Sequence, residues 1–245
     1  MRIAVISDVH GNLLALDAVL SHIADRQVEV TVNLGDMLSG GVQPLETAQR
    51  LLTLGLPTVR GNHERQVLET APDGMGKSDR LAYESISNEH RAWLGSLPLT
   101  LEVAPKVLAC HGSPTSDLTY LLDTVTPAGA RAATEQEVVE RLGPEVSWPL
   151  LLCGHTHLQR SLRLATGALV VNPGSVGWPA YDDDLPYPHV MEAGTPHARY
   201  AIVDDTSGRW EVSFKLVEYD WESAARIAEA NSRTDVARVL RTGRV

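Results

Sequence analysis

The chain has 245 residues, of which 43% are apolar and 21% are charged, and its formal net charge is −10. This composition is typical of a globular protein, and the negative charge argues against binding to long nucleic acids or anionic membranes. No apolar stretch approaches the roughly 20 residues that a bilayer-spanning helix needs. We therefore expect a single cytoplasmic domain over residues 1–245, and the sequence leaves open whether the chain forms a homo-oligomer.

Apolar runs of strand length predict strands, and helical spacing of apolar residues predicts helices between the early strands. The predicted strands, in chain order, are 2–7, 28–34, 57–59, 99–103, 106–110, 150–153, 168–171, 199–203 and 210–218. The predicted helices are 13–24, 43–55, 135–142, 221–230 and 234–241, with one or two more within 78–98. Thr134 and Glu137 have the spacing of a capping box for the helix at 135–142. The last two strands, joined by a Thr-Ser-Gly turn, predict an antiparallel hairpin.

The two cysteines, Cys110 and Cys153, each lie in an apolar predicted strand. Two cysteines are too few for a disulfide scaffold in a chain of this length. We therefore expect both to be reduced thiols in the core.

Five apolar runs end on polar residues that can bind a metal ion. These residues are Asp8, His10, Asp36, Asn62, His63, His111, His155 and His157. The carboxyl ends of parallel strands converge on one crevice, so donors that are far apart in sequence can meet there. Residues two apart on an extended segment also face the same side.

Without His63, this set contains seven donors, which is more than one ion usually takes from a protein. Two ions that share a bridging carboxylate would use all seven. Nitrogen and oxygen donors without a thiolate favour divalent first-row transition metals over calcium. We expect manganese, with iron, zinc, nickel or cobalt as alternatives.

The motifs DVHGN, GD, GNHE, CHG and GHTH, in that order, resemble the calcineurin-like metallophosphoesterase superfamily. The later NPGSVG resembles its small bacterial and archaeal phosphodiesterase branch, typified by YfcE-like proteins. The motifs span residues 8–177, about two-thirds of the chain. The resemblance implies a four-layer α/β/β/α sandwich of two mixed sheets flanked by helices, with a dinuclear metal site between the strand ends.

By motif position, the resemblance implies that one ion is held by Asp8, His10 and His157, that the other is held by Asn62, His111 and His155, and that Asp36 bridges them. His63, which is spare among the ligands, would protonate the leaving oxygen. Larger phosphatases of the superfamily read GD-x-x-D, where the second aspartate orients the histidine of the GNH motif. Ser39 occupies that position here, so we expect His63 to lack a carboxylate partner.

Such a site hydrolyses phosphoesters by in-line attack of a metal-bridging hydroxide, without a covalent intermediate. We expect a phosphodiesterase that acts on a small substrate such as a cyclic or short nucleotide. A phosphomonoesterase and a dinucleoside-polyphosphate hydrolase are the alternatives. The superfamily also includes a non-catalytic protein-sorting scaffold, but a scaffold has no need of a complete ligand set.

Other polar residues carry weaker signals. Four histidines have no motif around them and are expected at the surface or as caps, namely His22, His90, His189 and His197. Arg60 is expected to be a solvated residue rather than a phosphate contact. Two questions stay open. Glu64 is either an acceptor that supports the site or an ordinary first-turn helix carboxylate. Residues 177–189 form either a substrate-facing rim or a plain surface loop.

Overall fold

The computed structural model describes residues 1–143 and 148–245. Within these residues the strands are β1 (Arg2–Ile6), β2 (Val30–Asn33), β3 (Thr100–Ala104), β4 (Val107–Cys110), β5 (Asp123–Thr126), β6 (Gly129–Ala132), β7 (Leu150–Leu152), β8 (Gln159–Arg163), β9 (Leu169–Pro173), β10 (Ala180–Asp183), β11 (His189–Glu192), β12 (Ala198–Asp204) and β13 (Glu211–Val217). The α-helices are α1 (Leu13–Ala24), α2 (Pro44–Leu54), α3 (Asn62–Glu69), α4 (Lys77–Ser85), α5 (Asn88–Ser96), α6 (Glu135–Leu142), α7 (Trp221–Ala230) and α8 (Thr234–Thr242).

Two mixed sheets form the centre of the molecule. The first has the order β13–β12–β1–β2, in which β1 and β2 are parallel and the other neighbours are antiparallel. The second has the order β3–β4–β7–β9–β8, in which β4, β7 and β9 are parallel. Two separate hairpins, β5–β6 and β10–β11, stand outside these sheets.

Strand β1 shows how the layers arise, because successive side chains of a strand point to opposite faces. Ala4 and Ile6 pack with α1 and α2, whereas Ile3 and Val5 pack against the second sheet. The far face of the second sheet packs against Val138 and Leu142 of α6. The layers therefore run α/β/β/α, and the predicted sandwich of two mixed sheets is confirmed.

Helices α7 and α8 form a pair at the carboxyl end of the chain. Their alanine-rich faces pack together with Val42, which lies in the loop before α2, and with the partly buried Trp178. The pair is thus attached to two loops that approach the strand ends from outside the sheets. None of the helices in residues 1–143 and 148–245 has the length and apolarity needed to cross a membrane.

Most predicted elements are confirmed, and one is wrong. The segment 78–98 forms two helices, α4 and α5, and the Thr134–Glu137 capping box begins α6. Both cysteines are buried free thiols. The predicted strand at 57–59 pairs with β2 at a single position, Thr58 opposite Asn33, because Pro57 has no N–H to donate and α3 begins soon after. Strands β5, β6, β8, β10 and β11 were missed, since their polar sequences carry little apolar alternation.

Candidate metal centre

The seven predicted ligands lie together where the strands of both sheets end. Asp8 and His10 follow β1, and Asp36 follows β2. His111 follows β4 directly, and the remaining two histidines follow β7. Asn62 is the first residue of α3. Parallel pairing of β1 with β2 and of β4 with β7 makes these ends neighbours, as the sequence predicts.

Five of the seven donors have a left-handed backbone, with φ between 49° and 71°. They are Asp8, His10, Asp36, His155 and His157. Residues other than glycine rarely adopt this conformation, and each instance costs on the order of 1–3 kcal/mol. Cross-loop hydrogen bonds hold it in place: the N–H of Asp8 donates to Gly35 and the N–H of His10 donates to Asp36, both at 3.0 Å. Strain clustered at the donors indicates that the fold maintains their positions for function.

Asp8, His10 and His157 form a first buried cluster, and their donor atoms all lie within 4.8 Å of one another. Nε2 of His10 lies 3.1 Å from Nε2 of His157, and Oδ1 of Asp8 lies 3.4 Å from the latter. Nδ1 of His10 donates to the carbonyl of Ser39 at 2.5 Å, and Nδ1 of His157 donates to the carbonyl of Trp178 at 2.6 Å. With the proton fixed on Nδ1, each Nε2 presents a lone pair to the other.

The first cluster needs a cation. Two imidazole lone pairs that face each other at 3.1 Å repel unless a positive charge lies between them. Oδ1 of Asp8 is buried and has no hydrogen-bond partner among the described residues, whereas Oδ2 accepts the N–H of His155 at 3.3 Å. A buried carboxylate oxygen without a partner is costly. A divalent ion satisfies all three atoms, so the residues present fit a metal.

Asp36, His111 and His155 form the second cluster, again with donor atoms within 4.8 Å of one another. Nε2 of His111 lies 3.1 Å from Oδ2 of Asp36 and 3.1 Å from Oδ1 of Asn62. Nδ1 of His111 donates to the carbonyl of Leu34 at 2.7 Å, which again turns Nε2 toward the carboxylate. The two clusters are consistent with a dinuclear metal site.

Glu64 supports the loop that carries Asp36. Its buried carboxylate accepts the N–H groups of Asp36 and Met37, both at 2.8 Å, and that of Gly61 at 2.9 Å. A Cβ on Gly61 would overlap the carboxylate of Asp36, so only glycine fits there. Both interpretations of Glu64 therefore hold, because it is a first-turn carboxylate of α3 and also an acceptor that organises the site.

The prediction that His63 lacks a carboxylate partner is wrong. Nδ1 of His63 lies 2.7 Å from Oδ1 of Asp79, in the first turn of α4. Ser39 instead offers its backbone carbonyl to His10. The motif spacing did not show this, because α4 packs beside α3 and brings in a carboxylate from 16 residues further along the chain. The N–H of His63 also donates to Oδ1 of Asp36, at 2.9 Å.

The buried charges divide the histidines into two groups. Burial, followed by the nearby imidazole of His157, lowers the pKa of His10 to about 3, and burial with the nearby His111 does the same for His155. For His111, burial opposes protonation, but the charge of Asp36 prevails and raises the pKa to about 10. Burial likewise opposes protonation of His63, whose pKa is nevertheless raised to about 9, mainly by Asp36 and the hydrogen bond to Asp79.

The clusters form the floor of a cavity of about 820 Å³. Its walls include Trp178, the segment around Tyr181, Leu118, Tyr120 and Arg141. Six residues of the segment 177–189 line the cavity, so this segment is more than a plain surface loop, and its contact with substrate stays a prediction. Arg60 does not line the cavity.

A chain of hydrogen bonds that sequence reasoning missed crosses one wall of the cavity. The hydroxyl of Tyr181 donates to that of Tyr120 at 2.7 Å, and the Tyr120 hydroxyl lies 3.2 Å from Nε2 of His189. Nδ1 of His189 donates to the carbonyl of Tyr187 at 2.8 Å, which leaves Nε2 as an acceptor. His189 is therefore a buried member of this chain, and its prediction as a surface or cap residue is wrong. The aromatic content of residues 177–189 was the available signal.

The two tyrosines also contact histidines of the two clusters. The Tyr120 ring packs edge-on against His155, with ring centres 5.0 Å apart, and the Tyr181 ring packs edge-on against His157 at 4.8 Å. Both tyrosines therefore restrict the orientation of imidazoles in the clusters.

Elsewhere, His90 caps α5, as predicted.

Two buried carboxylate–imidazole clusters at the strand ends of an α/β/β/α sandwich define a metal-dependent phosphoesterase. The chain belongs to the calcineurin-like phosphoesterase superfamily, whose domain model matches residues 1–191. The family resemblance seen in the five motifs is thereby confirmed.

Relatives cover nearly the whole chain. An uncharacterized protein of Methanocaldococcus jannaschii is 29% identical over 250 residues, which covers 91% of this chain and 89% of that protein. The crystal structure of a metallophosphoesterase from Sphaerobacter thermophilus is 25% identical, with a TM-score of 0.73, and covers 97% of this chain and 100% of its own. The crystal structure of a hypothetical protein from Pyrococcus horikoshii OT3 is 20% identical, with a TM-score of 0.79, and the match covers 99% of this chain and 98% of that protein. At this identity the likeness shows the fold alone.

Proposed function

We propose that this protein is a phosphodiesterase that uses two divalent first-row transition-metal ions, manganese first among them, to hydrolyse small or cyclic nucleotide-type diesters. The observation that carries the proposal is the pair of buried donor clusters at the floor of the cavity, where facing lone pairs and an unpartnered carboxylate oxygen require cations. Nitrogen and oxygen donors without a thiolate suit these metals.

The ligands are proposed to divide between the two ions. Asp8, His10 and His157 would hold one ion, Asn62, His111 and His155 the other, and Asp36 would bridge them, as the grouping of their donor atoms supports. When bound, the ions activate water as a nucleophile and neutralise the phosphoryl oxygens.

His63 is the proposed general acid. Its Nδ1 is held by Asp79, so Nε2 is the nitrogen left to donate a proton, and the side chain lines the cavity beside Asn62. A positioned acid of this kind is needed most when the leaving oxygen is a poor leaving group.

The charge of the cavity favours a diester over the alternatives. Arg141 is the only lysine or arginine on the cavity wall within the described part of the chain. Its guanidinium already donates to the carbonyls of Tyr120, Leu121 and Asp123 and to the hydroxyl of Thr124. A monoester dianion or a polyphosphate would call for more free positive charge than this wall offers. The net charge of −10 likewise supports a small substrate rather than long nucleic acid.

The test combines metal analysis with a substrate comparison. Purified protein should contain up to two first-row ions per chain and should lose activity with EDTA. With manganese restored, kcat/KM on bis(4-nitrophenyl) phosphate should exceed that on 4-nitrophenyl phosphate. Asp184→Asn, which changes an exposed carboxylate outside this cavity, is the control variant. Activity that EDTA does not affect would overturn the metal site, a preference for the monoester would overturn the diesterase, and ions bound without turnover would favour a scaffold.

A further inference from the structure

The outer part of the cavity includes exposed apolar side chains. Of the seven large apolar side chains that are exposed in the described residues, Leu118 and Leu185 line the cavity, at 53% and 75% exposed. Tyr187 and Val190, also exposed, lie in the same β10–β11 hairpin as Leu185, and Pro186 lines the cavity beside it. Exposed apolar residues that cluster beside a site indicate a binding surface rather than an ordinary scatter.

The charges of this outer part disfavour a second anionic group. Asp123 is paired with Arg160 at 2.8 Å, and the donors of Arg141 are directed at backbone carbonyls and a hydroxyl. Asp182 and Asp183 line the cavity and are exposed. An anion in this outer part would therefore meet two carboxylates and no cation with free donors on the described wall.

We propose that the outer part of the cavity binds an uncharged apolar substituent of the diester, an alkyl or aryl group, while the single phosphate lies at the donor clusters. This inference rests on the proposed function, because it requires a phosphodiester at the cavity floor, and it narrows that function to small diesters with one alkyl or aryl substituent. Binding of the substituent removes Leu118 and Leu185 from water, so catalytic efficiency rises with the apolar size of the substituent.

A homologous series of 4-nitrophenyl alkyl phosphates, from methyl to hexyl, tests the inference on the manganese-loaded protein. Each methylene is expected to raise kcat/KM by about two- to four-fold, through a lower KM. The double variant Leu118→Asn/Leu185→Asn is expected to flatten the series. Leu216→Asn is the matched control, because Leu216 is 54% exposed on β13 and does not line the cavity, and it should keep the wild-type slope.

A second comparison uses a hexyl chain that ends in a carboxylate, which is expected to lose the gain made by the hexyl chain. A flat alkyl series in the wild type, equal slopes in the wild type and the double variant, or a preference for the carboxylate chain would each overturn the inference while leaving the phosphodiesterase intact. No turnover of any diester, methyl included, would instead overturn the proposed function itself.

Discussion

The Asp36 cluster and the Asp8 cluster differ in the backbone carbonyls that fix their histidines. His111 of the Asp36 cluster donates to Leu34, a fully buried residue that directly follows β2 and packs in the core between the sheets. His10 and His157 of the Asp8 cluster donate to Ser39 and Trp178, which both lie in loops. One cluster is therefore fixed by the sandwich itself, and the other by loops that need support of their own.

That support comes from the turn that joins α7 and α8. Arg233 donates to the carbonyl of Gly40 at 3.1 Å, and its guanidinium lies 5.9 Å from the ring centre of Trp178. Asn231 donates to the carbonyls of Gly41 and Val42, at 3.0 and 2.8 Å. These residues lie beyond residue 191, where the family match ends. The Asp8 cluster therefore depends on side chains beyond residue 191 that hold its loops directly, whereas the Asp36 cluster meets that part of the chain only through the core of the first sheet, where Leu34 packs with Ala201 and Val203.

The largest effect is expected from Asp36→Asn, which weakens the proposed bridging ligand and so disturbs both ions. We expect kcat to fall by roughly 10³-fold or more, because a catalytic metal supplies several kcal/mol of charge stabilisation. Asp8→Asn should cost less, since Asp8 serves one cluster. Steady-state kinetics with saturating manganese, alongside metal analysis, measures both. Wild-type turnover in both variants would show that the ligand assignment is wrong.

The next effect concerns His63, which contacts the Asp36 cluster through its backbone N–H. His63→Ala should lower kcat on a diester with an alkyl leaving group by at least about 10²-fold, and much less on a nitrophenyl diester, because only the alkyl oxygen needs a proton. Asp79→Asn should shift the same ratio in the same direction, but less. Equal losses on both substrates would remove His63 from the acid role, and loss of metal would make it a ligand instead.

A smaller and more selective effect is expected from Arg233→Met, which keeps the apolar stem but removes the donors that hold Gly40. The variant should lower the affinity for the ion at the Asp8 cluster by about 10- to 100-fold, as loss of the residues that support metal ligands typically does. The affinity for the ion at the Asp36 cluster should stay unchanged. Calorimetric titration with manganese resolves the two binding events. Arg238→Met, on an exposed position of α8, is the control. Equal weakening of both ions would contradict the difference between the clusters.

The smallest change in activity is expected from Tyr120→Phe, which leaves the metal ligands in place. It removes the hydroxyl between Tyr181 and His189, and so costs about 1–3 kcal/mol of unfolding free energy through buried groups left without a partner. Urea unfolding measures this cost. Tyr187→Phe is the matched control, because Tyr187 is exposed and contributes its backbone carbonyl to the chain. Equal stability of the two variants would show that the hydrogen-bond chain does not hold the wall.

The sequence predicted the features that depend on residues close together in the chain. Asp8 and His10 could be found because each follows an apolar strand within a short motif, and the four layers follow from those strands and the family resemblance. Asp79, Tyr120 and Arg233 could not be found in this way. Each contacts a residue that is distant in sequence, because α4, the cavity wall or the turn between α7 and α8 packs against it, and no spacing along the chain indicates that contact.

The left-handed backbone at five donor positions affects how easily these residues could be replaced by glycine during evolution. Glycine at any of them would relieve about 1–2 kcal/mol of steric conflict, against an entropic cost of about 0.5–1 kcal/mol. The backbone alone therefore favours loss of a donor, and what opposes it is the use of the ions together with the hydrogen bonds that the buried side chains make, such as that of His10 to Ser39 and that of Asp36 to His63. In a lineage that no longer hydrolysed phosphoesters, the ions would no longer oppose that loss, and the donors whose side chains make the fewest other contacts would be the first to be replaced by glycine.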